Sequence, residues 1–183
     1  MDDPISLLVV CGSRREPSRT RTLATRAADV AAARADVDVE TLDLRGYDIP
    51  GFDGRDEDDY DDVTTEAVSR MLDADAYVVA SPVYFGGMPG ALKNLIDHLP
   101  YERFAERDRA AGLVMTGRDR RHQGVLERQL RSTLVYLGVH VATASVFATE
   151  AAFDDFALAT EDVDPYLEAT VAETLDLAVA PPG

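Results

Sequence analysis

Five short apolar runs alternate along the chain with five stretches in which apolar residues recur every three or four positions. The apolar runs span Ile5–Cys11, Val37–Leu44, Ala76–Ala80, Ala111–Thr116 and Val139–Ala148. Runs of this length and composition are typical of strands buried on both faces, as the strands of a parallel sheet are. The pattern therefore predicts five strands, and the stretches that follow them predict five helices.

Each predicted helix carries an apolar stripe that would face the sheet. The stripes are Leu23/Ala27/Val30/Ala31, Val68/Met71/Leu72, Leu92/Leu95/Ile96/Leu99, Leu126/Leu130/Leu134/Leu137 and Leu167/Val171/Leu175/Ala178. Alternating strands and helices predict an α/β fold, a doubly wound sandwich with helices on both faces of a five-stranded parallel sheet of order 2-1-3-4-5. In that order the chain reverses direction between strands one and three. We therefore expect a ligand in the crevice beyond the carboxyl ends of those strands.

The chain is strongly acidic, with 34 acidic residues against 18 basic ones and a formal net charge of −16. This charge argues against nucleic acid and anionic membrane surfaces as partners. The acids are mostly aspartates spread along the sequence, and Lys93 is the single lysine among the basic residues. We expect a halophilic protein, because high salt screens the self-repulsion of such a surface. Biased codon usage is an alternative cause of the preference for arginine.

The length of 183 residues suits one domain with its own core, and no linker or repeat divides residues 1–183. The N-terminus lacks the pattern of a signal peptide and no apolar run is long enough to span a membrane, so a cytoplasmic protein is expected. The single cysteine, Cys11, is expected to be buried and inert. His98, His122 and His140 show no metal-ligand spacing, so no metal site is expected, and His98 is placed on a helix surface.

The loop after the first strand, Gly12–Thr20, is rich in hydroxyl and guanidinium groups and leads into a helix. Free N–H groups and the helix dipole favour a phosphate at such a place. Arg15 can pair with two phosphate oxygens, while the hydroxyl groups of Ser13, Ser18 and Thr20 can donate hydrogen bonds. The alternative is that Ser18 or Thr20 only caps the helix and that the arginines are solvated.

The loop after the third strand holds Pro82, Gly86, Gly87, Pro89 and Gly90. Glycines allow positive φ and the close approach of a ligand, although an ordinary tight turn would also use them. No Gly-x-Gly-x-x-Gly follows the first strand, and no Gly-x-x-x-x-Gly-Lys-Ser/Thr occurs in the chain. The dinucleotide-binding fingerprint and the phosphate loop of nucleoside triphosphatases are therefore absent.

Both loops match the motifs of one family. Gly12-Ser13-x-Arg15-x-x-Ser18, Ser81-Pro82-x-Tyr84 and Pro89-Gly90-x-Leu92-Lys93-Asn94-x-x-Asp97 resemble the NAD(P)H-dependent FMN reductases, which are flavodoxin-like proteins. The resemblance runs from Leu7 to about Gly138. It implies that Ser13, Arg15, Ser18 and Thr20 hold the FMN phosphate, and that Pro82, Val83, Tyr84, Phe85 and Gly86 lie along the isoalloxazine ring. The chain departs from many members at Thr20, Val83 and Phe85, where they have Asn, Glu and Asn.

The resemblance implies an FMN-dependent oxidoreductase that takes hydride from NADPH or NADH. It would reduce a small acceptor such as free flavin or a quinone by a ping-pong mechanism, without a catalytic acid or base from a side chain. The amide of Gly117 or the charge of Arg118 would stabilise negative charge on the reduced ring. The family also suggests a homodimer or homotetramer. The alternatives are a flavodoxin-like electron carrier that acts with protein partners and a flavin-free binding module on the same fold.

Three further features carry hypotheses of their own. The basic patch Arg118–His122 is expected either to attract NADPH or to form salt bridges with the acidic surface or a neighbouring subunit. The seven acids between Asp53 and Asp62 do not match a calcium loop and are expected to be solvated. Lys93 is expected to pair with Asp97 one helical turn away and to serve a structural or subunit-contact role.

Overall fold

The structure is a computed structural model that describes residues 4–56, 59–60, 62–159 and 161–179. Its strands are β1 (Ile5–Cys11), β2 (Val37–Asp43), β3 (Ala76–Pro82), β4 (Arg109–Gly117), β5 (Val139–Thr149), β6 (Phe153–Asp154) and β7 (Ala157–Leu158). Its helices are α1 (Arg19–Ala32), α2 (Asp62–Asp73), α3 (Gly90–Asp97), α4 (Tyr101–Ala105), α5 (Gln123–Tyr136) and α6 (Asp164–Ala178). Within these ranges no helix is both long and apolar enough to cross a membrane.

The main sheet has the predicted order, β2-β1-β3-β4-β5, and all of its pairs are parallel. Helices α2, α3 and α5 cover one face through residues such as Met71, Leu95 and Leu130. Helices α1 and α6 cover the other face through residues such as Leu23 and Val171. Every residue of β3, the central strand, is buried. The predicted flavodoxin-like sandwich is confirmed, and the carboxyl ends of β1, β3 and β4 meet at one edge because parallel strands share a direction.

Two features were not predicted from the sequence. Helix α4 is a single turn of five residues, too short to show an apolar period. Strands β6 and β7 form a two-stranded antiparallel hairpin whose turn places Asp155 at a φ of 53°. Each of these strands has only two residues, so no alternation of apolar and polar positions can develop along it.

A buried arginine joins the ends of α2 and α4. Arg109, at the start of β4, is 2% exposed, and its guanidinium donates to the carbonyls of Leu72 (2.7 Å), Ala74 (3.3 Å) and Phe104. The Cζ atom of the guanidinium also lies 4.5 Å from the centre of the Phe104 ring, at the distance of a cation–π interaction. Carbonyls near helix C-termini carry partial negative charge, which compensates for the loss of water around the guanidinium.

A bulge in β5 is fixed from the neighbouring helix α6. Ala111 is opposite Val141 and Leu113 is opposite Ser145, so residues 142–144 of β5 face a single residue of β4. The Glu173 carboxylate of α6 accepts hydrogen bonds from the backbone N–H groups of residues 143 (2.7 Å) and 144 (2.8 Å). These hydrogen bonds stabilise the charged carboxylate and lower the pKa of Glu173, and the hydrogen bond from residue 144 has the largest effect.

The structure corrects the surface position expected for His98. This side chain is 4% exposed, its Nδ1 lies 2.8 Å from the carbonyl of Asn94, and the rings of Phe52 and Tyr60 lie edge-on to it at 5.3 and 4.6 Å. The loop that carries Phe52 covers it, because the Asn94 side chain donates to the carbonyls of residues 49 and 50. A helical period alone gave no sign that a loop from before α2 folds over the end of α3.

Two structural expectations are confirmed. Cys11 is buried, and burial raises the pKa of its thiol. Lys93 and Asp97 form the expected ion pair on an exposed face of α3.

The acidic segment is solvated where the structure describes it. Asp53 is exposed and accepts hydrogen bonds from Arg55 and Tyr60, which lower its pKa to about 2. Of the remaining acids there, Glu57, Asp58 and Asp61 lie outside the described residues.

The Arg109 contacts predict a large loss of stability when the guanidinium is removed. We expect Arg109→Met to lower the free energy of unfolding by about 2–4 kcal/mol, because several buried carbonyls lose their donor. Urea titration followed by circular dichroism measures the change. Arg107→Met is the matched control, since Arg107 is half-exposed and pairs with Asp75 near the surface. Equal losses in the two variants would contradict the importance of the buried contacts.

The Glu173 contacts predict a stability that depends on pH. A carboxylate whose pKa is lower in the folded protein stabilises the fold above its unfolded pKa, and this contribution is lost as the pH falls through the folded value. The difference in unfolding free energy between the wild type and Glu173→Gln should therefore be largest near neutral pH and shrink below about pH 4. Glu168→Gln, at an exposed position of α6, should show no such trend.

Candidate functional site

A cleft of about 260 Å³ opens at the carboxyl ends of β1, β3, β4 and β5. It lies at the edge where the strand order predicted a ligand site. The residues that line it are Ser13, Arg15, Pro17, Ser18, Arg19, Thr20, Pro82, Val83, Tyr84, Thr116, Gly117, Arg118, Ala148, Glu150 and Phe156. Nine of the eleven site residues expected from the sequence are in this lining, and the other two are Phe85 and Gly86.

Phe85 and Gly86 form the tip of a tight turn beside the cleft. The backbone N–H of Tyr84 donates to the carbonyl of Gly87 at 2.9 Å, and the N–H of Gly87 donates back at 3.0 Å. Both central residues have positive φ, 50° at Phe85 and 81° at Gly86, and the Phe85 side chain is fully exposed. A bulky residue is strained in this region of backbone space, so Phe85 is an unusual occupant of the turn. Its ring stands outside the wall of the cleft.

The first turn of α1 presents hydroxyl groups to the cleft. Ser18 is the N-cap of α1, and its Oγ accepts from the backbone N–H of Arg21 (3.3 Å) and donates to the Oγ of Ser13 (2.8 Å). The Thr20 and Thr116 hydroxyl groups lie 2.6 Å apart and are buried, which ties α1 to the end of β4. Ser18 thus caps the helix, as one alternative expected, and lines the cleft as well.

The arginines of this region divide into paired and available groups. Arg14 pairs with Asp48 at 3.3 Å, away from the cleft lining, and Arg19 pairs with Glu150 at 3.0 Å within it. Arg15 and Arg118 also line the cleft, and their guanidinium groups make no ion pair with the described part of the chain. The lining therefore carries three guanidinium groups and one carboxylate, a balance that favours an anion.

Arg21 fixes the shape of the loop from outside the cleft. Its guanidinium contacts the Asp43 carboxylate through two nitrogens, at 2.6 and 3.2 Å. The same group donates to the backbone carbonyls of Ser13 (3.1 Å) and Arg15 (2.9 Å). Because these carbonyls accept hydrogen bonds from Arg21, the guanidinium compensates part of their negative charge near the start of α1.

Glycines follow β1 and end β4, and the second of them, Gly117, lines the cleft. A Cβ on Gly117 would lie 2.6 Å from the Cζ of Phe147, so any side chain there would collide with β5. A Cβ on Gly12 would lie 3.2 Å from Leu92, while the Gly12 N–H donates to the carbonyl of Ala80 at 2.8 Å. Packing therefore disfavours any larger residue at both positions, and at Gly117 a ligand in the cleft can approach the backbone closely.

The arginines of the basic patch after β4 lie in three different surroundings. Arg118 lines the cleft, whereas Arg121 is 85% exposed and pairs with Asp119 at 2.9 Å. This hydrogen bond lowers the pKa of Asp119. Arg120 lines a separate groove beside β5. The salt bridge expected as an alternative is thus present for Arg121, and Arg118 is the member of the patch that faces the cleft.

A doubly wound parallel sheet of order β2-β1-β3-β4-β5 is the flavodoxin-like arrangement. The loop after β1 is suited to bind an anion, as it is in a protein of this class. The sequence model of the NADPH-dependent FMN reductases matches residues 5–154, and the chain belongs to this family. It is 34% identical over 138 residues, 75% of this chain and 72% of the other, to the NAD(P)H-dependent FAD/FMN reductase of Geobacillus thermodenitrificans. It is 28% identical over 161 residues, 88% of this chain and 86% of the other, to the FMN reductase (NADPH) of Pseudomonas aeruginosa.

Structural comparison agrees with the family. The apo form of the NADH:FMN oxidoreductase EMOB superposes with a TM-score of 0.78 and 28% identity, over 97% of this chain and 92% of the other. Relatives also include proteins named as a benzoquinone reductase and an azoreductase. The chain is an oxidoreductase of a family that uses FMN with NADPH or NADH as electron donor.

Several residues of the cleft were not singled out from the sequence. Arg19, Glu150 and Phe156 line it, and Arg21 supports it from outside. Arg21 and Asp43 are 22 positions apart, and Arg19 and Glu150 are 131 apart. No local spacing connects such pairs, because only the assembled sheet brings them together.

The position of Arg21 predicts that its loss loosens the loop. We expect Arg21→Met to raise hydrogen–deuterium exchange of the backbone amides of residues 13–18 and to lower the free energy of unfolding by about 1–2 kcal/mol. Arg34→Met is the matched control, because Arg34 makes the same two-nitrogen contact with Asp36 on the open surface. Exchange that stays at the wild-type rate in Arg21→Met would show that the loop holds its shape without this residue.

Proposed function

We propose that the cleft binds FMN with its phosphate at the loop between β1 and α1. The observation that carries this proposal is the convergence of the Ser13 and Ser18 hydroxyl groups and the Arg15 guanidinium at the N-terminus of α1. These residues fit a dianionic phosphate, since hydroxyl groups, a guanidinium and free N–H groups at a helix start all donate to anionic oxygens. Thr20 supports the loop through its buried hydroxyl pair with Thr116.

The same proposal places the isoalloxazine ring against Pro82, Val83 and Tyr84. When bound, FMN supplies the transfer of hydride from NADPH or NADH to an acceptor. The backbone near Tyr84 and Gly117 orients the ring, and the charge of Arg118 favours its reduced, negatively charged form. Phe85 and Gly86 border the ring from the turn at the mouth. No side chain is needed as a general acid or base.

The acceptor is proposed to be a small molecule, such as free flavin or a quinone, reduced by a ping-pong mechanism. An open cleft supports this mechanism, because donor and acceptor can use the same exposed side of the ring in turn. We further propose that residues 1–183 form one domain of a cytoplasmic homodimer or homotetramer. The exposed Tyr101 and Tyr136 rings, 5.8 Å apart, support a subunit contact that would cover them.

Two neighbouring arginines test the phosphate assignment. Arg15→Ala should weaken FMN affinity by about 10–100-fold, as expected for one charge-assisted contact, and leave riboflavin affinity unchanged because riboflavin lacks the phosphate. Arg14→Ala removes the adjacent guanidinium, which pairs with Asp48 instead, and should bind both flavins as the wild type does. Titration of each flavin, followed by fluorescence quenching, gives the affinities. Unchanged FMN affinity in Arg15→Ala would place the phosphate elsewhere.

The activity itself is tested by adding NADPH, and separately NADH, to the FMN-loaded wild type without oxygen. Bleaching of the flavin absorption is expected, and its return when a quinone is added would complete the cycle. A protein that binds FMN and stays yellow with both donors would act as an electron carrier and would contradict the proposed activity.

A further inference from the structure

The hairpin formed by β6 and β7 closes one side of the cleft. Its turn contains Phe156, which lines the cleft, and lies beyond residue 154, where the family match ends. The family motifs therefore assign no role to this residue. Its ring is only partly buried, so packing of the core does not account for a large aromatic side chain here.

The first turn of α1 fixes the hairpin in place. The Nε of Arg19 donates to the carbonyl of Asp155 at 2.9 Å, and its guanidinium carbon lies 5.2 Å from the centre of the Phe156 ring. The Thr22 hydroxyl donates to the carbonyl of Phe156 at 2.7 Å. The Phe156 ring is thus positioned by the same helix whose N-terminus faces the proposed phosphate.

A second cavity lies on the other side of Phe156. This groove of about 460 Å³ follows α1 and is lined by residues that include Thr22, Thr25 and Leu158; we call it the α1 groove. The cleft and the α1 groove share three lining residues, Pro17, Ser18 and Phe156. Phe156 has the largest side chain of the three. A substitution that removes its ring would therefore open the boundary between the two cavities more than a substitution at Pro17 or Ser18.

We propose that Phe156 is a specificity-determining residue that favours FMN over FAD, an inference that rests on the proposed function. FMN ends in its phosphate, whereas FAD continues from that phosphate into adenosine monophosphate. With the phosphate at Ser13 and Ser18, the additional nucleotide would enter the α1 groove past Pro17 and Ser18, which line both cavities, and the Phe156 ring closes that passage. The α1 groove beyond it offers room for the nucleotide once the ring is removed.

Flavin titrations of three proteins test the proposal. We expect the wild type to bind FMN about tenfold or more tightly than FAD, and Phe156→Ala to lose most of this preference through a gain in FAD affinity. The ratio of FMN to riboflavin affinity should stay unchanged in Phe156→Ala, because the phosphate contacts remain. Phe52→Ala is the matched control, since Phe52 is a half-exposed phenylalanine outside the cleft that covers His98 at the end of α3. It should keep the wild-type preference.

A larger ring distinguishes an opened passage from a loosened hairpin. Phe156→Trp should bind FAD no more tightly than the wild type does, and a gain in FAD affinity like that of Phe156→Ala would overturn the proposal. A wild type without preference, or a Phe156→Ala variant with the wild-type preference, would overturn it while FMN binding still upholds the proposed function. A wild type that binds no FMN would overturn both.

Discussion

The contact of Arg21 with Asp43 is the interaction on which the arrangement of the candidate site depends. It joins the first turn of α1 to the end of β2, and through the carbonyls of Ser13 and Arg15 it also fixes the loop between β1 and α1. Both partners are partly buried, so the charge pair is screened less by water than one on the open surface. The N-cap of α1, the hydroxyl groups beside it and the hairpin that rests on the helix all take their positions from this anchored turn.

The charge of the cleft opposes the charge of the chain. The protein carries a net charge of −16, which repels anionic flavins and nicotinamides at a distance, whereas Arg15, Arg19 and Arg118 line the cleft. The long-range repulsion is screened by salt, with a Debye length of about 3 Å at 1 M, while direct contacts with a guanidinium are affected much less. Strong binding of an anionic ligand is therefore compatible with an acidic surface, and more so at high ionic strength.

The sequence predicted the main sheet and its helices well because their signals are local. A strand buried on both faces, such as Ile5–Cys11, must be apolar throughout, and a helix on a sheet must repeat its apolar residues along one face. Helix α4 and the hairpin were missed because they are too short to show a period, and the burial of His98 was missed because it depends on contacts with a distant segment. Arg109 was missed for the same reason, since its partners are carbonyls, which the sequence does not distinguish.

The candidate site shows the same division. Ser13, Arg15 and Ser18 were found because they stand close together before a helix, and the loop after β3 was found from its glycines and prolines. Arg21 and Phe156 gave no such signal, because their partners are far away in the chain. The residues proposed to touch a ligand directly were thus more predictable than the residues that hold them in place or are proposed to limit what they can bind.

The central claim is that the loop between β1 and α1 holds the phosphate of FMN. A crystal structure of the protein with FMN tests it most directly. We predict a phosphate within hydrogen-bond distance of the Ser13 and Ser18 hydroxyl groups and the Arg15 guanidinium, with the Ser13 and Arg15 carbonyls still bound to Arg21. A flavin whose phosphate lies elsewhere, or a loop that has left Arg21 to reach it, would contradict the account.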